Sequence, residues 1–431
     1  MSRFNCIMGP EVHSMKYVGE ITDPVHKYIQ FTELERDLID TPTFQRLRRI
    51  KQLAGAHLVY PSAQHSRFEH SLGAMHVAGL AGEHLLSLNM LPNPDCIQEL
   101  RVSSLLHDVG HGPFSHLSEE VIKIKIDKDH ETIGGEIIRQ TEINDILNYY
   151  GYSSKRISEL SSGQSSSKFM NEIMVGSLSA DLMDYLPRDS LFTGAEYGRI
   201  DYNRIINSFR VLDGSRIGLH RSALYSFESM LISRYEMFKA VYFHKTVRSA
   251  EVMLLHSILL AYDSINFNVA SLDNYLSLTD ETILIRILAS KGNQLARQLA
   301  RDYLERKLLK CVYERFIQKK ERLRDKLNWN KITDVSSKIA EIAKVKSDRV
   351  FIDVSGISSV PLAPNKQEMR SILLVGEEEA LKTPVSQLPL INSISGHLDM
   401  LRVYTDEENR KKVTIAARKV FGDEGSICDG F

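Results

Sequence analysis

The sequence predicts a mainly α-helical protein with a small N-terminal strand or hairpin and a smaller C-terminal α+β region. Three observations carry that prediction. From Thr32 to about residue 330, apolar residues recur at three- and four-residue spacing, the period of a buried helix face. Runs rich in β-branched and aromatic residues gather toward the two ends of the chain. Apolar residues make up 43% and charged residues 25%, enough apolar material to bury a large core. The expected division is residues 1–32 as the hairpin segment, 33–330 as the helical domain and 331–431 as the α+β region.

In chain order, Met15-Lys16-Tyr17-Val18 with Glu20-Ile21-Thr22-Asp23-Pro24 supplies the strand or hairpin. Asp40-Thr41-Pro42 starts a helix, with Asp40 as N-cap and Pro42 in the first turn. Behind it Phe44, Leu47, Ile50 and Leu53 form one apolar stripe, while Arg46, Arg48, Arg49 and Lys51 lie off it as a local basic strip. Residues 66–90 and 95–109 give two more helices, and Gly73, Gly79 and Gly82 allow the first to pack closely. The serine-rich segment Ser161–Ser167 is a loop. Phe209–Leu212, Asp213-Gly214 and Arg216–Leu219 form a hairpin around an Asp-Gly turn. One long helix is expected from Ser222 to Tyr262, and a charged helical stretch over 294–327. Strands follow at Arg349–Val354 and Arg370–Val375, and residues 405–421 make a final helix.

Composition excludes several classes. The net charge of −1 gives no bulk attraction to nucleic acid or an acidic membrane, so extended nucleic-acid binding is not expected. No apolar run approaches the ~20 residues of a membrane span. The first residues lack the apolar run of a secretion signal. Cys6, Cys96, Cys311 and Cys428 are far apart and read as reduced thiols, the expectation for a cytoplasmic protein.

Nine of the 15 histidines fall between residues 57 and 130, more than three times an even share. Histidine is both a common metal ligand and a proton carrier near neutral pH. Leu105-Leu106-His107-Asp108-Val109-Gly110-His111-Gly112-Pro113-Phe114-Ser115-His116 concentrates three of them beside a carboxylate. On a helix His107 and His111 would share a face, Asp108 would reach the same cation as His107, and the helix would end at Gly112-Pro113, re-aiming His116. Two imidazoles with one or two carboxylates suit Mn, Fe, Zn, Co or Ni, with Mg a poorer match to nitrogen ligands.

His70 in Arg67-Phe68-Glu69-His70, then His107-Asp108, then Asp181 in Ala180-Asp181-Leu182-Met183-Asp184-Tyr185, is an order that resembles the HD superfamily of metal-dependent phosphohydrolases. Asp40-Thr41-Pro42-Thr43-Phe44-Gln45-Arg46-Leu47-Arg48, His65–Gly73 and Tyr242-Phe243-His244-Lys245-Thr246-Val247-Arg248 resemble its deoxynucleoside triphosphate triphosphohydrolase branch, which includes an enzyme joining a SAM domain to the HD domain. The resemblance covers residues 15–265 well, the C-terminal region weakly, and includes no SAM domain. It implies a helical HD core, with His70, His107, Asp108 and Asp181 as metal ligands. Metal-activated water would attack the α-phosphorus and release deoxynucleoside and intact triphosphate. His116, oriented by Glu119, would protonate the leaving oxygen, while His111 and His130, with Glu131 nearby, would stabilise phosphate charge.

By the same resemblance, Gln52, Leu53, Arg67, Tyr185, Asp189, Arg234, Tyr242 and Lys245 would hold sugar and phosphates. Leu53 and Tyr242 would wall off the deoxyribose C2′, and Arg248 is a second candidate beside Lys245. Two departures stand out: Leu182 replaces a phosphate-binding Lys and Phe238 a His. Asp40, Gln45 and Arg48 match positions that bind an allosteric guanine nucleotide, and equally suit a helix cap and a polar helix face; Gly19 replaces a Lys there. The resemblance further implies a homodimer or homotetramer. Two other functions fit the same residues: an HD phosphatase or phosphodiesterase acting on nucleoside monophosphates, cyclic nucleotides or nucleic acid ends, and a non-catalytic nucleotide-binding scaffold.

Overall fold

The computed structural model describes residues 15–267, 271–319, 329–358, 373–376, 383–384, 389–390 and 397–422. Cys6, Cys428 and residues 370–372 of the expected strand lie outside the described residues. The architecture is mainly helical, with strands at both ends and one internal hairpin.

β1 (Tyr17–Asp23) pairs antiparallel with β2 (Lys27–Thr32). Thr32 and Glu35 then form a reciprocal capping box that starts α1 (Glu33–Ile39). α2 (Pro42–Gln45) follows, and its N-cap is Thr41, whose hydroxyl accepts from the Phe44 N–H. Asp40 instead ends α1, a correction to its expected capping role. Arg46–Arg49 continue as a 3₁₀ turn. The strict three-residue spacing of the stripe is the 3₁₀ period, which is why Phe44, Leu47 and Ile50 are all fully buried.

α3 (Arg67–Ser87) is the central helix, with Leu72 and Met75 in one hydrophobic core and Val77 and Ala81 in a second. It packs along α4 (Asp95–Leu106). There follow α5 (His116–Ile126), α6 (His130–Gln140), α7 (Glu142–Tyr149), α8 (Ser154–Ser161), α9 (Lys168–Met174), α10 (Ala180–Thr193) and α11 (Tyr202–Ile206). The Asp-Gly turn joins β3 (Phe209–Leu212) to β4 (Arg216–His220), with Asp213 and Gly214 both at positive φ. α12 (Leu224–Met237), α13 (Lys245–Ala261), α14 (Leu272–Leu276), α15 (Asp280–Ala289) and α16 (Gln294–Leu304) complete the helical body.

Beyond it lie β5 (Lys310–Lys319), α17 (Trp329–Ala343), β6 (Phe351–Ser358), β7 (Leu373–Val375), β8 (Thr383–Pro384), β9 (His397–Thr405) and α18 (Arg410–Phe421). β9 pairs antiparallel with β5 and β6, while β7 extends the β3–β4 hairpin in parallel to β4.

Three expectations about helices are corrected. The helix before the histidines ends at Leu106, not at Gly112-Pro113. Arg46, itself buried, donates to the carbonyls of Val109 and His111, and the Tyr275 hydroxyl donates to that of Gly110. Those tertiary partners satisfy the backbone that a helix would otherwise satisfy, and they remove Arg46 from the basic strip. Gly110 is required there, because a Cβ would overlap the His130 carbonyl. The expected helix Ser222–Tyr262 is broken by a π turn at Phe238–Tyr242 and restarts at Lys245, without a Pro or Gly to signal it. Residues 310–319 form β5 rather than the end of a charged helix, because pairing with β9 outweighs the helical look of their charges.

Candidate active site

Four side chains converge where α3, α4 and α10 meet. His70 Nε2 lies 3.1 Å from Asp181 Oδ1 and 3.7 Å from Asp108 Oδ2. His107 Nε2 lies 3.3 Å from Asp108 Oδ1 and 3.8 Å from Asp181 Oδ1. The other nitrogen of each ring is already engaged, His70 Nδ1 with Asp184 at 2.8 Å and His107 Nδ1 with the Ser104 carbonyl at 2.7 Å. Both Nε2 atoms are buried without an aligned hydrogen-bond partner among the described residues. Burial alone would lower the His70 pKa, but Asp181, Asp184 and Asp108 outweigh it and raise it to about 10. A cage this anionic takes up a proton where a cation fits. Arg67, nearly fully buried, donates to Asp108 at 2.5 Å and to the Ser115 hydroxyl at 2.7 Å.

A second cluster stands beside the first. His111 and His130 stack with centroids 4.0 Å apart, and His116 meets His111 edge-on at 5.1 Å. Glu119 joins them, 3.2 Å from His116 Nδ1 and 3.0 Å from His130 Nδ1. His111 is kept neutral, its pKa pushed well down by burial and by Arg67. For His130, burial lowers the pKa but Glu119 outweighs it, so the net shift is upward. The His116 side chain is 75% exposed. Glu131 is exposed in the first turn of α6, outside the hydrogen-bonded group.

A third group continues along α10. Tyr242 donates to Asp189 Oδ2 at 2.6 Å, and Arg234 donates to the Tyr185 hydroxyl at 3.2 Å. Burial pushes Tyr185 up to about 12 and Tyr242 well above the usual phenol range, so both stay neutral. His65 lies 2.8 Å from Asp189 Oδ1, and the Gln52 N–H donates to its carbonyl. Gln52 Oε1, His65 Nδ1 and Arg234 Nε are buried without partners among the described residues. Leu53 packs beside Tyr242 against the second core, and Lys245 is half-buried at the start of α13.

Comparison with known proteins now decides the family. Residues 67–189 match the HD domain and residues 200–425, just over half the chain, match the HD associated region. The chain belongs to the HD phosphohydrolase family. An uncharacterised protein of Methanocaldococcus jannaschii is 32% identical, covering 84% of this chain and 80% of its own. A deoxynucleoside triphosphate triphosphohydrolase SAMHD1 homolog of Dictyostelium discoideum is 31% identical over 78% of this chain and 66% of its own. A hypothetical protein from Aquifex aeolicus has a solved structure with a TM-score of 0.74 at 29% identity, covering 93% of this chain and 99% of its own.

HD domains bind divalent metals, and the residues of this HD protein fit one: two orphaned imidazole nitrogens and two carboxylates face each other. Spacing alone misassigned His111 to the His107 face, because α4 ends first; its Nε2 lies 3.4 Å from Asp108, but its ring joins His130. Asp184, which orients His70, and His65, which holds Asp189, were both missed by the sequence reading. Asp184 was legible only as a second carboxylate one turn after Asp181 on α10. Arg248 is not free for phosphate: it donates to Asp353 and Glu251 and ties α13 to β6. Gln45 and Arg48 pair at 2.7 Å, with the Arg48 guanidinium over the Phe68 ring, while Asp40 is exposed at the end of α1.

Proposed function

We propose that the protein hydrolyses deoxynucleoside triphosphates to deoxynucleoside and triphosphate. The observation that carries this reading is the spacing on α10. Asp181, Tyr185 and Asp189 stand four residues apart along one face, so the metal-side carboxylate and the sugar-side carboxylate are separated by about 12 Å. That suits a nucleotide lying along the helix, α-phosphate at Asp181 and 3′-hydroxyl at Asp189. His70, His107, Asp108 and Asp181 would hold a divalent ion, which supplies a Lewis acid and an activated water. His116, held by Glu119, would give a proton to the leaving oxygen, and neutral His111 with His130 would donate to the phosphate. Arg67, which donates to Asp108, would add positive charge beside a phosphate bound there.

One observation favours a shorter substrate. Leu182 is buried in the second core and Phe238 packs under Arg234 at 5.2 Å, so neither offers a phosphate contact. An HD phosphatase or phosphodiesterase acting on nucleoside monophosphates, cyclic nucleotides or nucleic acid ends is therefore the second reading. Incubating the metal-loaded protein with dNTPs, NTPs and monophosphates, with phosphorus NMR of the products, separates the two. Triphosphate supports the first and orthophosphate the second; absence of turnover supports a nucleotide-binding scaffold. No helix among the described residues is long and apolar enough to cross a membrane. Sedimentation analysis tests the proposed homodimer or homotetramer.

A further inference from the structure

The tip of the N-terminal hairpin places one buried side chain behind the metal-side residues. His26, in the β1–β2 turn, has a fully buried side chain whose Nε2 lies 2.7 Å from Asp184 Oδ1. The other oxygen of Asp184 lies 2.8 Å from His70 Nδ1. Arg188 donates to both oxygens of Asp184, at 2.8 and 2.9 Å, and also to both oxygens of Asp23. Asp23 in turn accepts from the backbone N–H groups of Val25 and His26, which shapes the turn that presents the imidazole. Room for this network is built into α3: a Cβ on Gly73 would overlap both Asp184 and Arg188.

We infer that the hairpin sets the orientation of His70, and through it the affinity of the site for a divalent ion, with His26 as the positioning residue. The inference rests on the metal reading of His70. Asp184 is acceptor-only, so both imidazole nitrogens facing it carry hydrogen. With Nδ1 held by Asp184, Nε2 of His70 is the nitrogen that faces Asp108 and Asp181, and its lone pair would serve a divalent ion that displaces the proton there. His26 uses Nδ1 to accept the Tyr202 hydroxyl, 3.0 Å away, which fixes its own tautomer. Four hydrogen bonds fill the capacity of the Asp184 carboxylate. Removing His26 leaves one oxygen short of a donor inside the protein, and Asp184 must turn to recover it, taking the His70 ring along. Losing a group that orients a metal ligand typically weakens binding about 10–100-fold.

The test uses the full chain and Co²⁺ alone, with affinity from chelator competition and site geometry from the visible absorption of the ion. His26→Ala is expected to bind Co²⁺ about tenfold more weakly with an altered spectrum. His26→Gln, which keeps an N–H for Asp184, should recover most of the affinity. Tyr28→Ala, an exposed change on β2, should leave both readouts alone. Wild-type affinity and spectrum in a folded His26→Ala protein would overturn the inference. If that variant does not fold, Tyr202→Phe decides it, since removing one hydroxyl should still weaken Co²⁺ binding and an unchanged affinity sinks the coupling. A wild-type chain that binds no Co²⁺ would overturn the metal reading and this inference together, whereas normal wild-type binding with indifferent His26 variants overturns the hairpin coupling alone.

Discussion

Tyr242, in the break between α12 and α13, donates its hydroxyl to Asp189 of α10 at 2.6 Å. The π turn that ends at Tyr242 swings the phenol toward α10, with Phe238 edge-on to it at 4.7 Å. A ring locked in that way has no free donor for a 2′-hydroxyl, its one hydroxyl proton being committed to Asp189.

On the proposed function, a preference for deoxynucleotides is expected. A ribonucleotide would bury an unpaired hydroxyl against Leu53 and Tyr242, at a cost of about 1–3 kcal/mol. The expected dGTP over GTP ratio in kcat/KM is at least about tenfold, or roughly 1.4 kcal/mol. Tyr242→Ala should narrow it and leave metal content unchanged. Equal kcat/KM values for the two nucleotides in the wild-type protein would remove the gate.

The metal-side residues make a sharper prediction. The double variant His107→Ala/Asp108→Ala should lose bound metal and all hydrolysis while circular dichroism still reports a folded helical protein. Metal analysis and turnover at wild-type levels would contradict the ligand assignment.

His116 and Glu119 should behave differently from those ligands. His116→Ala is expected to retain metal and lose about 10²–10⁴-fold in turnover, the range for a general acid or base. Glu119→Gln removes the carboxylate shared by His116 and His130, so it should fall in the same direction with metal intact. Loss of metal in either variant would place that residue among the ligands.

Acid stability should depend on His256. Its ring packs edge-on to Phe351 at 4.9 Å, joining α13 to β6, and burial lowers its pKa to about 4, with Asp353 opposing. A folded-state pKa below the unfolded value means the contribution is complete above about pH 6.5 and lost as pH falls toward 4. Between pH 7 and pH 5 that loss is about 2 kcal/mol. Urea titrations at the two pH values should show a smaller difference for His256→Gln than for the wild-type chain. The same difference in both would acquit His256.

The residue pattern by itself determined the helical class, the hairpin at the N-terminus, the Asp-Gly turn and the histidine-rich window, because each is a local property of period, turn chemistry or composition. The resemblance of its motifs to the HD superfamily added His70, His107, Asp108 and Asp181 as candidate metal ligands. Tertiary structure decided what local pattern cannot carry. Arg46 and Tyr275 took the carbonyls that would have continued α4, and so moved His111 from the metal side to the side of His130. Pairing with β9 made a strand of 310–319, and contacts around Tyr242 opened the long helix. Asp184 and His26 gained their places from partners 114 and 158 residues away. A hydrogen-bond partner that distant leaves no periodic trace, since its value exists only after the chain has folded and water has been excluded from the pair.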